Sequence, residues 1–291
     1  EGTEAYLLGG GESRVYDIEE NGAAAFSQGW DFPSRSQCMT CHNQNAGYVL
    51  GMNTHQLNGE LYYEELGRSM NQIEYMDMHQ MLSGKSGSTE NMPRAYAIDD
   101  ESAPLESRIR SYLDSNCSSC HQLGGVTALN MDLRYNVPLS LQNIINSPTK
   151  SLASNESYDI VEPGTHQVSE IWIRDASEET NRMPPIARNL IDEFYVDKLA
   201  EWIDGLDEDA GKMNETLVFP NPGNGWLNLR ITDDWDAPYR FRVFNASGKL
   251  VFKAQETDQA VQLDLTTLPA GLYSLEIAND NNREVRKFVV N

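Results

Sequence analysis

Cysteine is scarce in this chain, and so are long apolar runs and basic side chains. Its 291 residues include four cysteines, and 22 basic side chains stand against 44 acidic ones. No apolar stretch approaches the roughly 20 residues of a membrane-spanning helix, so we expect no transmembrane segment. A formal net charge of −22 argues against nucleic acid and anionic membranes as partners. The charge would suit a basic partner protein, and a solvated surface explains it equally well.

The chain also lacks an initiator methionine and a charged-then-apolar leader, since it starts at Glu1. We therefore expect a mature chain, or one cut from a longer protein. Its length allows two domains. Residues 1–29 are expected to form a short β-like segment, the tail of a preceding domain, because Tyr6-Leu7-Leu8 and Arg14-Val15-Tyr16 read as short strands.

The four cysteines form two Cys-x-x-Cys pairs, and a histidine follows each pair. The two segments are Cys38-Met39-Thr40-Cys41-His42 and Cys117-Ser118-Ser119-Cys120-His121. This is the attachment signature of c-type haem. Residues three apart share one side of a helical turn, so both sulfurs can reach one porphyrin while the histidine binds its iron. We therefore predict two covalently bound haem c groups and, because such attachment takes place outside the cytoplasm, an exported protein.

Other uses of the cysteines fit less well. A Cys₄ zinc site would leave both histidines unexplained and would need a short gap between the pairs, whereas Cys41 and Cys117 are far apart. A thioredoxin-like pair expects a βαβ context that neither segment has. Structural disulfides would be strained at this spacing.

Two Met-Pro pairs supply candidates for the second iron ligand. Proline keeps the loops at Met92-Pro93 and Met183-Pro184 from becoming helical, and thioether sulfur is a known haem ligand. We predict that His42 and Met92 bind the first iron and that His121 and Met183 bind the second. Met131 remains an alternative to Met183. The alternatives to Met92 are Met52, His55, Met70, Met76, Met78, His79 and Met81.

The hydrophobic pattern predicts two kinds of domain. Apolar residues recur at helical spacing before the second motif and near residue 200, at Leu105, Ile109, Tyr112, Leu113, Tyr195, Val196, Leu199, Trp202 and Ile203. Residues 30–205 are therefore expected to form a mainly α, cytochrome c-like dihaem domain of two units. The charged, turn-like residues 206–216 are expected to form a linker.

Short alternating runs replace the helical pattern in the last quarter of the chain. Residues 217–291 are predicted to form an all-β, seven-stranded immunoglobulin-like sandwich. The predicted strands are Leu217–Phe219, Trp226–Ile231, Tyr239–Phe244, Leu250–Lys253, Val261–Leu265, Leu272–Ile277 and Glu284–Val290.

Residues 217–291 resemble the type A sorting domain of the Bacteroidota type IX secretion system. The matching segments are Phe219-Pro220-Asn221-Pro222 with Gly225, Phe244-Asn245-Ala246-Ser247-Gly248-Lys249, Leu268-Pro269-Ala270-Gly271-Leu272-Tyr273 and Lys287-Phe288-Val289-Val290. The resemblance implies that the secretion machinery is a partner and that the protein reaches the outer cell surface or the medium by way of the periplasm.

Residues 30–205 resemble a family of haem-binding domains found in secreted proteins of Bacteroidota and planctomycetes. The matching segments are Trp30-Asp31-Phe32-Pro33-Ser34-Arg35, Gln56-Leu57-Asn58, Tyr112-Leu113-Asp114, Met131-Asp132-Leu133-Arg134-Tyr135 and Met183-Pro184-Pro185. Some relatives are fused to pyrroloquinoline-quinone dehydrogenase domains, which implies that such a dehydrogenase, or another cytochrome, is the redox partner.

These observations lead us to expect one-electron transfer at the cell surface, by an electron carrier rather than a catalyst. Two alternatives remain open. One is a dihaem peroxidase-like enzyme with one open iron. The other is a haem-bearing assembly or anchoring module, which an oligomer with electron transfer between chains would favour.

Overall fold

A computed structural model describes residues 8–20, 22–85, 87–122, 125–127, 131–149, 158–213, 215–219, 221–223 and 225–291. The chain divides into two compact units, residues 1–210 and residues 211–291. Residues 1–7 of the predicted N-terminal segment, which include Tyr6 and Leu7, lie outside the described residues, as do residue 214 of the predicted linker and Pro220 of the sorting-domain motif. The predicted domain boundaries stay predictions.

The first unit begins with a hairpin. Strand β1 (Glu12–Glu20) pairs antiparallel with β2 (Ala23–Phe32). Helix α1 (Arg35–Cys41) follows and begins with a capping box, in which the Ser34 hydroxyl accepts from the Gln37 amide while the Gln37 side chain accepts from Ser34 N–H. This cap fixes the start of the helix that carries the first Cys-x-x-Cys pair.

Short elements connect the two motifs. Strands β3 (Glu60–Tyr63) and β4 (Arg68–Asn71) form a second hairpin. The other helices of this unit are α2 (Thr54–Leu57), α3 (Gln72–Met78), α4 (Leu105–Cys117), α5 (Glu170–Asp175) and α6 (Glu193–Asp204).

Helices α4 and α6 form the centre of the first unit. The helical periodicity of both segments is confirmed, because their apolar faces contribute to one buried core. Ile109 and Leu113 of α4 and Leu199 and Ile203 of α6 are fully buried there. The Tyr112 ring of α4 stacks on a tyrosine ring of α6 with 3.6 Å between the ring centroids.

The prediction of a mainly α domain is wrong. Within the described ranges, four of the six helices have seven residues or fewer, and two hairpins occupy parts of the unit that we expected to lead into or link haem-binding helices. Glycine explains part of the difference, since Gly22 and Gly67, both at positive φ, lie in the turns of the two hairpins. No helix in the described part of the chain is long and apolar enough to cross a membrane.

The second unit is a β-sandwich, and its seven predicted strands are confirmed. One sheet has the order β5 (Leu217–Phe219), β6 (Trp226–Arg230), β9 (Ala260–Asp264). The other has the order β11 (Arg283–Val290), β10 (Gly271–Ala278), β7 (Tyr239–Asn245), β8 (Leu250–Glu256). Alternate residues of both sheets enter one core, which includes the fully buried Phe241 and Leu275.

The sorting-domain motif residues have structural roles in this sandwich. The Asn221 side chain bonds the backbone of β11, donating to Lys287 O and accepting from Val289 N–H. Gly225 has φ +93°, and a Cβ there would lie 2.7 Å from the Cα of Thr266. Only glycine combines this backbone conformation with so close an approach.

Candidate functional site

The first Cys-x-x-Cys-His segment lies on α1 and its C-terminus. Cys38 and Cys41 are on the helix, and His42 caps it by donating its backbone N–H to Cys38 O at 3.0 Å. The Nδ1 atom of the exposed His42 ring is 2.8 Å from the carbonyl oxygen of Tyr48. This bond orients the imidazole and leaves Nε2 available.

The second segment lies at the C-terminus of α4. Cys117 is the last helical residue, and the backbone N–H groups of Cys120 and His121 both donate to its carbonyl oxygen. His121 is buried, and its Nδ1 atom has no hydrogen-bond partner within the described ranges. Burial, together with the charge of Arg174, lowers the pKa of His121 to about 4, so its ring is neutral at physiological pH.

The two segments meet through their sulfur atoms. The Sγ atom of Cys120 lies 3.5 Å from the Sγ atom of Cys41, although 79 residues separate them in sequence. Burial and this neighbouring thiol raise the pKa of Cys41 to about 11. Burial, reinforced by the carboxylate of Asp175, also raises the pKa of Cys117 well above its ordinary value. Both thiols are therefore protonated at neutral pH, and thiolate chemistry is suppressed.

A small cavity adjoins the second segment and collects the residues that we predicted around one iron. Its volume is about 50 Å³, and it is lined by Cys117, His121, Met131, Leu133, Thr149, Ile160, Glu170, Ile171, Arg174, Asp175 and Met183. Backbone bonds hold the Met183 loop in place, since Met183 N–H donates to Arg174 O and Arg188 donates to Met183 O. The structure thus brings His121 and Met183 to one cavity, with the alternative Met131 beside them.

A larger polar cavity of about 370 Å³ lies between the loop after the first motif and the start of the second. The His55 Nε2 atom is 2.6 Å from the buried carboxylate of Asp114, and the same carboxylate accepts from Tyr135 N–H at 2.8 Å. The ring of Tyr135 also stacks on His55. Sequence reasoning considered His55 only as an iron ligand and missed this pair, because nothing local links His55 to a residue 59 positions later.

Met92 lies on a loop next to this polar cavity but does not line it, and neither does His42. The buried Asn58 side chain holds the loop by donating to Thr89 O, Met92 O and Pro93 O. The structure therefore does not gather the two predicted ligands of the first iron in one cavity. Their assignment, like that of the other site residues, stays a prediction.

The prediction of two haem c groups is contradicted. Within the described ranges, no group of three or more His, Cys, Asp or Glu side chains is placed to hold a metal ion. The cavity that His121 and Met183 line has a volume of about 50 Å³, whereas ligand clefts have roughly 300 Å³ or more, and the cavity of about 370 Å³ is lined by neither His42 nor Met92. Covalent attachment would also direct both sulfurs of a pair to one macrocycle, yet Cys120 faces a cysteine of the other pair. The residues as arranged do not fit two haem c groups, so that prediction is wrong.

Comparison with known proteins identifies the second unit. Residues 217–291 match the family of secretion system C-terminal sorting domains. No curated protein matches the chain. Among solved structures, PorZ of the Porphyromonas gingivalis type IX secretion system is 14% identical, with a TM-score of 0.24, over 28% of this chain and 12% of PorZ.

Two further solved structures are similar to part of the chain. An immunoglobulin-like β-sandwich protein of the DUF3244 family from Bacteroides vulgatus is 20% identical, with a TM-score of 0.23, over 26% of this chain and 83% of its own. A BSP domain of a biofilm-associated protein is 20% identical, with a TM-score of 0.23, over 29% of this chain and 17% of its own. The chain thus spans less than a fifth of PorZ and of the biofilm-associated protein.

The family match and the sandwich together establish the role of the last quarter of the chain. Residues 217–291 are a type IX secretion sorting domain, and the protein is exported to the cell surface.

Proposed function

We propose that this exported protein transfers electrons, one at a time, between a redox partner and an acceptor at the cell surface, and that Cys41 and Cys120 hold them: the two thiols give up two electrons and two protons to the acceptor and form a disulfide, which the redox partner reduces again to two thiols. The observation that carries the proposal is the 3.5 Å contact between Cys41 Sγ and Cys120 Sγ. It brings the four cysteines of the chain into one region, where the Cys41 and Cys120 sulfur atoms need to approach by only about 1.5 Å to reach the length of a disulfide bond.

The environment of the second segment supports the same proposal. His121 is neutral and buried beside Cys117 and Met183, so the region contains polarisable sulfur and an imidazole with an unpaired nitrogen. Some of the proteins that residues 30–205 resemble are fused to quinoprotein dehydrogenase domains, which points the same way. We also infer that residues 217–291 belong to the type A class of sorting domains.

The charge of the first unit suits a basic redox partner, such as a quinoprotein dehydrogenase or another cytochrome. Residues 1–210 contain 34 acidic and 13 basic side chains, a net charge of −21. The negative electrostatic potential of this unit raises the rate of encounter with a basic protein, and the effect weakens as salt is added.

The test is electron flow through the intact exported chain. The protein is reduced with a chemical reductant and mixed with the one-electron acceptor ferricyanide, and the rate is compared with that of Cys41→Ala and Cys120→Ala. Both variants should lose most of the flow, while the exposed Met39→Ala, on the same helix, should keep it. Equal rates for all four proteins would refute the proposal. A change in the visible absorbance of the same samples on oxidation would also refute it, because the oxidation of thiols to a disulfide leaves that spectrum unchanged.

A further inference from the structure

The outer face of the four-stranded sheet in the sorting domain differs in charge from the rest of this acidic protein. Residues 211–291 contain nine basic and ten acidic side chains. Four of the nine basic side chains line one open groove across this face, with a volume of about 760 Å³. They are Arg240, Arg242, Lys253 and Arg283, and the acidic side chains in the groove are Glu276 and Asp280.

Strand register sets these charges side by side. Lys253 of β8, Arg242 of β7 and Glu276 of β10 lie directly opposite one another. In the neighbouring row, Arg240 lies opposite Ala278, which in turn lies opposite Arg283. Like charges in directly opposite positions, such as Lys253 and Arg242, destabilise a sheet.

Glu276 holds two of the arginines in fixed positions. Its side chain is 4% exposed, and each carboxylate oxygen accepts from the Nε and Nη2 groups of one guanidinium, Oε1 from Arg242 and Oε2 from Arg283. Burial opposes ionisation of this carboxyl, but the bonds from Arg242 and Arg283 outweigh it and lower the pKa of Glu276. The two guanidinium side chains remain 53% and 67% exposed, so their Nη1 groups can donate to another molecule.

Lys253 is unpaired. Its side chain is exposed, and in the part of the chain that the structure describes it makes no hydrogen bond or ion pair. Arg240, by contrast, donates to Asp280 and to Asn279 O at the far end of the groove. The groove therefore carries a net positive charge, with one free ammonium group and two prepositioned guanidinium groups.

We propose that this groove is a docking site for an acidic segment of a protein partner, bound in extended conformation. Arginine binds carboxylates through paired N–H groups, which suits glutamate and aspartate side chains. Arg240 and Arg242 are two residues apart on one strand, a spacing of roughly 7 Å. An extended segment with a carboxylate on every second residue presents its charges at this same spacing. The groove lies in the sorting domain and does not depend on the redox proposal.

Binding of a defined peptide to the full chain tests the site. The probe is a short fluorescent peptide in which Glu alternates with Thr, and the matched control peptide has Gln in place of Glu. We expect fluorescence anisotropy to rise with the Glu peptide, to stay low with the Gln peptide, and to fall as salt is added. Lys253→Gln should weaken binding about two- to fivefold, and combining it with Arg240→Gln about tenfold. Lys249→Gln, in a turn outside the groove, should bind like the unmodified chain.

Lys253→Gln and Arg240→Gln change exposed side chains and leave Glu276 paired with Arg242 and Arg283. We therefore expect both variants to fold, and circular dichroism checks this. Equal affinity of the unmodified chain and the double variant would overturn the proposal. So would equal binding of the two peptides. Binding of an acidic polysaccharide such as polygalacturonate, without binding of the Glu peptide, would assign the groove to a different class of partner and would also overturn it.

Discussion

Asp175 shows how strongly the protein interior alters a single group. Its carboxylate accepts from the Tyr195 hydroxyl at 2.9 Å, and burial raises its pKa to about 7 from an ordinary value of 3.8. Below the ordinary value both folded and unfolded chains are protonated there, so ionisation has no effect on stability. Between pH 3.8 and about 7 the carboxyl is ionised in the unfolded chain but protonated in the folded one, so the folded state loses stability as the pH rises through this range. Above about pH 7 both forms are ionised and the loss is complete.

Substitution of this carboxyl should therefore change the pH dependence of stability. Asp175→Asn keeps an oxygen for the tyrosine hydroxyl and removes the buried charge. We expect it to raise the free energy of unfolding at pH 8 by up to about 4 kcal/mol, and to leave it nearly unchanged near pH 4. Denaturant unfolding followed by fluorescence measures this, with the exposed Asp197→Asn as control. A gain that is equal at both pH values would contradict the assigned shift.

Asn58 is the residue that fixes the Met92 loop. It donates to three backbone carbonyls of that loop and accepts from the Asn71 amide at 2.8 Å. Asn58→Ala leaves these groups unpaired, so we expect a loss of about 1–3 kcal/mol, and faster cleavage of the loop in limited proteolysis. Gln56→Ala, which removes an exposed bond to Ser115, should have little effect. Unchanged cleavage of Asn58→Ala would show that the loop is held by other contacts.

Sequence predicts individual residues well where a motif is local, and poorly where partners are distant. The two Cys-x-x-Cys-His segments stand out in the sequence by their spacing and the Met183 loop by its Met-Pro pair, although the haem groups that we predicted for them are contradicted. The contact of Cys41 with Cys120 could not, nor could the pairs of His55 with Asp114 and of Asp175 with Tyr195. These depend on chain segments that only the fold brings together.

Packing of helices α4 and α6 against each other stabilises the first unit, because both contribute apolar side chains to its buried core. Leu199 of α6 is fully buried in its core. Leu199→Ala should lower the free energy of unfolding of this unit by about 2–5 kcal/mol, because it removes buried apolar contacts and leaves a cavity. Phe194→Ala, on the exposed side of the same helix, is the matched control and should cost under about 1 kcal/mol. Similar losses for the two variants, measured by denaturant unfolding, would mean that α6 does not pack as described.

The same two helices show what periodicity can predict at the scale of elements. Long segments with apolar residues on one face predicted α4 and α6, and strict alternation predicted the strands of the sandwich. The short hairpins of the first unit lacked both signals. The β3–β4 hairpin, for example, has four-residue strands in which Leu61 and Tyr62 are exposed, so its pattern is too brief to be recognised.

At the scale of the whole molecule, the chain combines an acidic first unit with a sorting domain of nearly balanced charge. The sorting domain directs export across the outer membrane. In a host with type IX secretion, a chain without residues 211–291 should therefore remain in the periplasm. Cell fractionation and immunoblotting measure this, and the full chain with Lys249→Gln should still be exported. Appearance of the truncated chain at the cell surface would show that export does not depend on this domain.

The most direct test of the electron-transfer proposal is a coulometric titration of the full chain, purified from a host that exports it. We predict that the oxidised chain takes up two electrons reversibly, an uptake that is abolished when all four cysteines are replaced by alanine and unchanged by Met39→Ala. A titration in which the unmodified chain takes up no electrons, or in which the four-cysteine variant takes up as many, would contradict the account.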